Sequence, residues 1–155
     1  MRRNRAPRRE VNPDVRYNSV KVQSFINRVM KDGKKSVATR VVYDALDIVQ
    51  ERSNEDALEM FNKAIENASP VVEVKPRRIG GATYQVPMEV PTHRQFALAT
   101  RWILAATRSR SGKAFAEFLA EELLDAANNT GSSVRKREES HRMAKANRAF
   151  SHFKV

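Results

Sequence analysis

A mainly α fold, one domain of about six helices with one protruding β-hairpin between the third and fourth, is predicted by three features of this 155-residue sequence. Apolar residues recur at helical spacing along most of the chain. A single stretch, VVEVKPRRIGGATYQVPMEV at 71–90, alternates at the strand period of two. Gly and Pro punctuate the ends of the helical segments rather than their interiors. The length suits one domain, and no apolar run approaches a membrane span. The expected division is a basic extended tail at 1–16, a helical body at 17–70 and 91–131, the hairpin arm at 71–90, and a basic helix and tail at 132–155.

The first helix carries Val22, Phe25, Ile26, Val29 and Met30, and Gly33 stands where a left-handed C-terminal cap is wanted. A second helix has the stripe Val37, Val41, Ala45, Ile48 and Val49 and ends near Ser53 and Asn54. These two can cap a third helix that has Glu55 and Asp56 in its first turn and Leu58, Phe61, Ile65 and Ala68 as its stripe. Pro70 stops it. After the ribbon, Thr92 with Gln95 forms a capping-box pattern, followed by Phe96, Ala99, Ile103 and Thr107 on one face. A fifth helix holds Phe115, Phe118, Leu119, Leu123 and Ala126 and stops in NNTGSS. A sixth, from about 134 to 150, is mostly charged, with Met143, Asn147 and Phe150 as a thin stripe, so its first half is expected to project from the body.

In the ribbon, Val72 and Val74 on one limb and Tyr84, Val86, Met88 and Val90 on the other alternate with polar residues. The tip, Gly80 and Gly81, supplies the positive φ that a tight reversal needs. Pro76 and Pro87 each remove a ladder donor, which excludes a central strand but suits a two-stranded ribbon. An isolated hairpin is marginal in water, so its base must be braced on helices, and the Lys75, Arg77, Arg78 cluster gives its partner a negative sign.

The net charge is +11, with 29 Lys and Arg against 18 Asp and Glu, and the common explanation of such a balance is a polyanion, nucleic acid first. The charge is blocked: +8 over residues 1–35, −5 over 36–74, +7 over 75–116, −4 over 117–131 and +5 over 132–155. Basic blocks at both ends and around the ribbon suggest one face for the anion and another for solvent or proteins. With no Cys the chain has no disulfide, thiolate or Cys-based zinc chemistry and fits a reducing compartment; its start, MRRNRAPRRE, lacks the apolar segment of a secretory signal. No enzyme is indicated. His93, His141 and His152 have no metal-ligand spacing, IGGAT opens no helix as a nucleotide loop would, and Glu138 and Glu139 read as partners of neighbouring cations. No metal or cofactor is expected.

Four segments, FINRVMKDGKKSVA at 25–38, RRIGGATYQVPMEV at 77–90, RWILAATRSR at 101–110 and KREESHRMAKANRAFSHF at 136–153, resemble in order the signature stretches of the seventh protein family of the small ribosomal subunit, in its bacterial form. The resemblance implies a helical bundle with a protruding hairpin that binds the 3′ major domain of small-subunit ribosomal RNA early in assembly and nucleates the subunit head. It also implies a cytoplasmic location in that head, with the ninth and eleventh proteins as neighbours. The same resemblance puts the hairpin and last helix near the exit site, close to messenger and transfer RNA.

By matching segments, the RNA-facing residues are the tail arginines Arg2, Arg3, Arg5, Arg8 and Arg9; Lys34 and Lys35 at the start of the second helix; Lys75, Arg77 and Arg78 on the hairpin; Arg94, Arg101, Arg108, Arg110 and Lys113 on the fourth helix and its loop; and Arg135, Lys136, Arg137 and Arg142 on the last helix. Tyr84 and Trp102 read as packing anchors before base-stacking platforms. The reading from another class is a DNA-bending architectural protein with a β-arm; against it, the prolines stand at unequal distances from the turn and the extra basic helix and tail are unexplained.

Overall fold

The structure, a computed structural model, describes residues 3–153, so Arg2 lies outside the described residues. Its elements are α1 (Val20–Val29), α2 (Lys35–Ser53), α3 (Ala57–Ala68), β1 (Val72–Ile79), β2 (Ala82–Glu89), α4 (Thr92–Arg108), α5 (Phe115–Ala127), α6 (Ser132–Ala146) and a terminal 3-10 helix (Arg148–Phe153). The expected class holds: helices, with one antiparallel hairpin between the third and fourth. The chain divides into two compact units, one up to Arg40 and one from Val41, and α2 runs through the division.

In the first unit, order begins before the expected end of the tail. Asp14 is buried, and its carboxylate accepts the N–H groups of Arg16 (3.1 Å), Tyr17 (2.8 Å) and Ser19 (2.8 Å). Ser19 then caps α1 by accepting the Val22 N–H. Helix α1 buries Val22, Phe25, Ile26 and Val29. Gly33 is not its cap. Met30 already has an extended backbone, and two and three residues later Asp32 and Gly33, at φ 55° and 72°, form a separate tight turn closed by the Lys34 N–H on the Lys31 carbonyl at 3.0 Å.

The inward stripe of α2 is Ala38, Val42, Ala45, Leu46 and Val49, rotated by one residue from the expected one: Val37 is 44% exposed. Both stripes satisfy a 3.6-residue period, and bringing Leu46 inside selects between them. The cap of α3 is Asp56, accepting the Glu59 N–H, while Asn54 takes a left-handed turn (φ 60°) and the Ser53 hydroxyl is bonded back to the Val49 carbonyl. Helix α4 likewise lacks its capping box. Pro91 occupies the N-cap, Thr92 is already helical, and Gln95 reaches back to the Val90 carbonyl at 3.0 Å.

In the second unit, α3 packs on α4 and α5, and α6 packs on α3, α4, α5 and β1. Phe61, Ile65, Ile103, Leu119 and Leu123 are among the buried side chains of this core. The first half of α6 does not project. Its inward stripe is polar, Ser133, Arg137, Ser140 and His141 beside Val134 and Ala144, and docks by hydrogen bonds. Arg137 donates to the Asn67 carbonyl (2.6 Å) and to Asn129 (3.1 Å), Ser140 to the Val72 carbonyl (3.0 Å), and His141 Nε2 accepts the Val71 N–H (3.0 Å). A search for apolar periodicity cannot see such a stripe.

Gly131 caps α6 at φ 93°, ψ 179°, a conformation open to glycine almost alone, and an added Cβ would stand 2.9 Å from Cβ of Asp125. Gly131→Ala is expected to destabilise the chain by about 1–3 kcal/mol, read as a lowered midpoint in urea unfolding.

The hairpin register follows from its tip. Gly80 and Gly81, at φ 57° and 84°, make a two-residue turn with both central residues left-handed, so Ile79 and Ala82 form the first hydrogen-bonded pair. Alternation then makes Pro76 opposite Gln85, and Pro87 opposite Val74, non-hydrogen-bonded pairs. The N–H groups that these prolines lack would have pointed outward, so the prolines cost the inner ladder nothing, in keeping with the expectation that a two-stranded ribbon tolerates them. The same register separates the two apolar stripes: Val72 and Val74 share a face with Pro87, whereas Tyr84, Val86 and Met88 face the other way with Glu73, Lys75 and Arg77.

Candidate nucleic-acid interface

The basic residues named from the sequence divide by how the fold employs them. In the first unit Arg3, Arg5, Arg8, Arg9, Lys34 and Lys35 are all exposed, the last two at the start of α2 where unpaired helix N–H groups add positive potential. In the second unit Arg78, Arg101, Arg108, Arg135, Lys136 and Arg142 are exposed. Along α6, Arg135, Arg142 and Lys145 fall on the solvent face, opposite the docked stripe, with Arg148 beyond. Lys145 and Arg148 escaped the residue-by-residue reading, although the basic C-terminal block contained them. Lys136 lies 4.0 Å from Glu139, and Arg137 3.7 Å from Glu138, as the charge pairing within this helix suggested.

Other cations are engaged inside the chain. Arg94 forks onto Glu73 with bonds of 2.7 and 3.1 Å, and Lys75 approaches the same carboxylate at 3.7 Å. That ion pair joins the first turn of α4 to the base of β1 and raises the affinity of Arg94 for its proton, chiefly through the hydrogen bond. Arg110 bonds Glu121 at 2.8 Å and also Glu122, while Lys113 bonds Glu121 at 3.0 Å. Glu122 is fully buried; burial pushes its carboxyl up, against the pull of Arg110. Glu121 is held low, first by its hydrogen bond from Lys113. Arg94, Arg110, Lys113 and Arg137 therefore serve the fold directly. Sequence alone gives no signal for these partners, because each pairing is tertiary.

Adjacent arginines of the arm part company because successive strand residues face opposite ways. Arg78 is exposed, whereas Arg77 is half-buried and folds back along the ribbon, its Nη2 at 3.8 Å from Met88 Sδ. Tyr84 is a packing anchor: its ring lies 5.2 Å from Phe150 and 5.3 Å from Phe153. Trp102 is half-buried. The arm is thus braced at its base by Arg94, Ser140 and His141, with Gly80 and Gly81 exposed at its tip.

The His141 brace is sensitive to pH. Its pKa is lowered, first by burial and then by the neighbouring Arg137 cation, with Glu138 opposing. In the unfolded chain an ordinary histidine titrates near about 6.5, so there the unfolded state binds more protons. Stability is therefore full above that value and is lost as pH falls through it, until pH passes below the folded pKa. Urea unfolding between about pH 7.5 and 5 should show this decline, and His141→Asn should flatten it.

The model of the family described as ribosomal protein S7p/S5e matches residues 1–148. The chain belongs to that family. Small ribosomal subunit protein uS7 of Thermomicrobium roseum is 56% identical over 153 residues, covering 99% of this chain and 98% of its own length. Those of Desulfatibacillum aliphaticivorans and Arthrospira platensis are 57% and 58% identical over the same length, with the same coverage. Membership of the S7p/S5e family makes the chain a structural ribosomal protein and not an enzyme. Among the described residues no helix is long and apolar enough to cross a membrane.

Proposed function

We propose that the chain is a primary binder of small-subunit ribosomal RNA that engages the 3′ major domain and nucleates assembly of the subunit head in the cytoplasm. The observation that carries this reading, beside family membership, is the arm: a ribbon tied at its base to α4 and α6 and packed at Tyr84 on the terminal 3-10 helix, with Arg78 and a Gly-Gly tip left in solvent. An exposed two-stranded ribbon gains nothing for the fold by reaching outward, and its charge selects a polyanion. The exposed cations of α6 and of the N-terminal segment add phosphate contacts, whereas Arg94, Arg110, Lys113 and Arg137 contribute by holding elements in place. On the resemblance rests the finer placement: hairpin and last helix close to messenger and exit-site transfer RNA, with the ninth and eleventh small-subunit proteins as neighbours.

Nuclease protection on small-subunit RNA tests partner and place together. Protection within the 3′ major domain is expected, with log affinity falling as log salt rises by about 0.7–0.9 per phosphate neutralised. Equal affinity for duplex DNA at matched salt, or a salt slope of zero, would overturn the reading.

A further inference from the structure

We infer that the terminal 3-10 helix (Arg148–Phe153) is a displaceable strap that sequesters Arg77 in the free chain, and that RNA and the strap compete for this arginine; the inference rests on the RNA-binding reading above. Arg77 is the cross-strand partner of Tyr84 and shares its face of the ribbon. Onto that ring the strap sets Phe150 and Phe153, 6.0 Å apart and nearly parallel to each other, while α6 also packs on β2. On the same face the Arg77 Nε is buried without a hydrogen-bond partner among the described residues, and there its Nη2 meets only the weak acceptor Met88 Sδ. Arg94 and Arg110, also half-buried, are each bonded by carboxylates. A guanidinium left so poorly satisfied is an unfavourable feature that an incoming phosphate would relieve.

The strap itself is weakly held. None of its residues is buried, and Arg148, Ala149, Ser151 and His152 are exposed, so its grip is the two phenylalanine rings. Few buried contacts mean a low free energy of local opening. Opening would free Arg77 beside Arg78, converting an arm with one available arginine into an arm with two. Binding at Arg77 and docking of the strap exclude one another, so a change that lifts the strap strengthens RNA binding.

The variant F150A/F153A removes the rings and keeps every charge. Against a transcript of the 3′ major domain it is expected to bind several-fold tighter than the unaltered chain, with a salt slope steeper by about 0.7–0.9, the share of one phosphate. Adding Arg77→Gln should cancel both gains. An unchanged or shallower slope, or a gain that survives Arg77→Gln, would overturn the strap. Should the double variant aggregate, cysteines replacing Tyr84 and Phe150 can be joined by a short bis-maleimide, which is selective because the chain has no cysteine of its own. The joined form should lose the contribution of Arg77, so that Arg77→Gln no longer weakens it; a joined form as sensitive to Arg77→Gln as the unjoined one would overturn the inference. An unaltered chain that does not bind the transcript would overturn the RNA-binding reading as well, which keeps the two failures apart.

Discussion

Replacing Arg110 with methionine is expected to lower folding stability by about 3–5 kcal/mol, which makes it the most damaging single change at any charged residue described above. The reason is Glu122. Its side chain is 0% exposed and one oxygen, Oε2, has no hydrogen-bond partner among the described residues, so Arg110 is what compensates a carboxylate taken wholly out of water. Glu121 would keep Lys113 at 3.0 Å and Arg52 at 3.9 Å, so the loss falls on the buried partner. Burial already pushes Glu122 up, and without Arg110 it would rise further. An acid whose folded pKa exceeds its unfolded one loses stability as pH rises, so the deficit of Arg110→Met should shrink between about pH 7 and 5 as Glu122 takes a proton. Urea unfolding at the two pH values reads this directly. The double variant R110M/E122M, with both charges gone, should recover most of the loss, because a buried ion pair and an apolar pair of similar volume are close in energy. A single variant no less stable than the parent at neutral pH would show that Glu122 is compensated otherwise.

Arg94→Met should act locally and strongly. It leaves the buried Glu73 with Lys75 at 3.7 Å alone, and charge-assisted hydrogen bonds of this kind contribute about 1.5–3 kcal/mol. Since Glu73 sits near the start of β1, the loss concentrates on the seating of the arm. Hydrogen exchange is expected to quicken about tenfold or more in β1 and β2 while α3 and α5 stay protected. Arg94→Lys should restore part of the protection, because an ammonium cannot fork onto both carboxylate oxygens. Uniform quickening across all helices would mean that the arm and the core open as one unit.

Much of this architecture was legible in the sequence because it rests on local rules. The hairpin was visible in alternation and in Gly80 and Gly81, since the turns that close a two-residue hairpin without splaying the strands need positive φ at one or both central residues, which glycine adopts at no steric cost. Phe25, Phe61, Ile65, Leu119 and Leu123 were visible because a wide apolar stripe has few ways to face inward. Where two stripes fit equally, as in α2, the period could not choose, and the answer came from tertiary packing of Leu46. Caps failed where a neighbour pre-empted them: Pro91 displaced Thr92, and Asp56 displaced Ser53 and Asn54. The basic residues were legible as a charge, not as separate roles. Whether an arginine meets solvent, as Arg78 does, or a carboxylate, as Arg94 and Arg110 do, depends on acids 11 to 21 positions away in the chain. Docking of α6 was hidden because a helix held by Arg137, Ser140 and His141 has the composition of an exposed one.

The placement of Pro76 and Pro87 has a consequence for the chain before it meets any partner. A ribbon standing in solvent offers two unpaired edges, and each is a template onto which a strand of another copy could zip. Because both prolines fall in non-hydrogen-bonded pairs, the donors they delete are the outward ones, so each edge is interrupted while the inner ladder stays whole. Lys75, Arg77 and Arg78 add like charge that two ribbons would have to bring together. The arm is therefore armoured against self-recruitment into intermolecular sheet, and copies that meet before binding a partner have no unbroken ribbon edge along which to join.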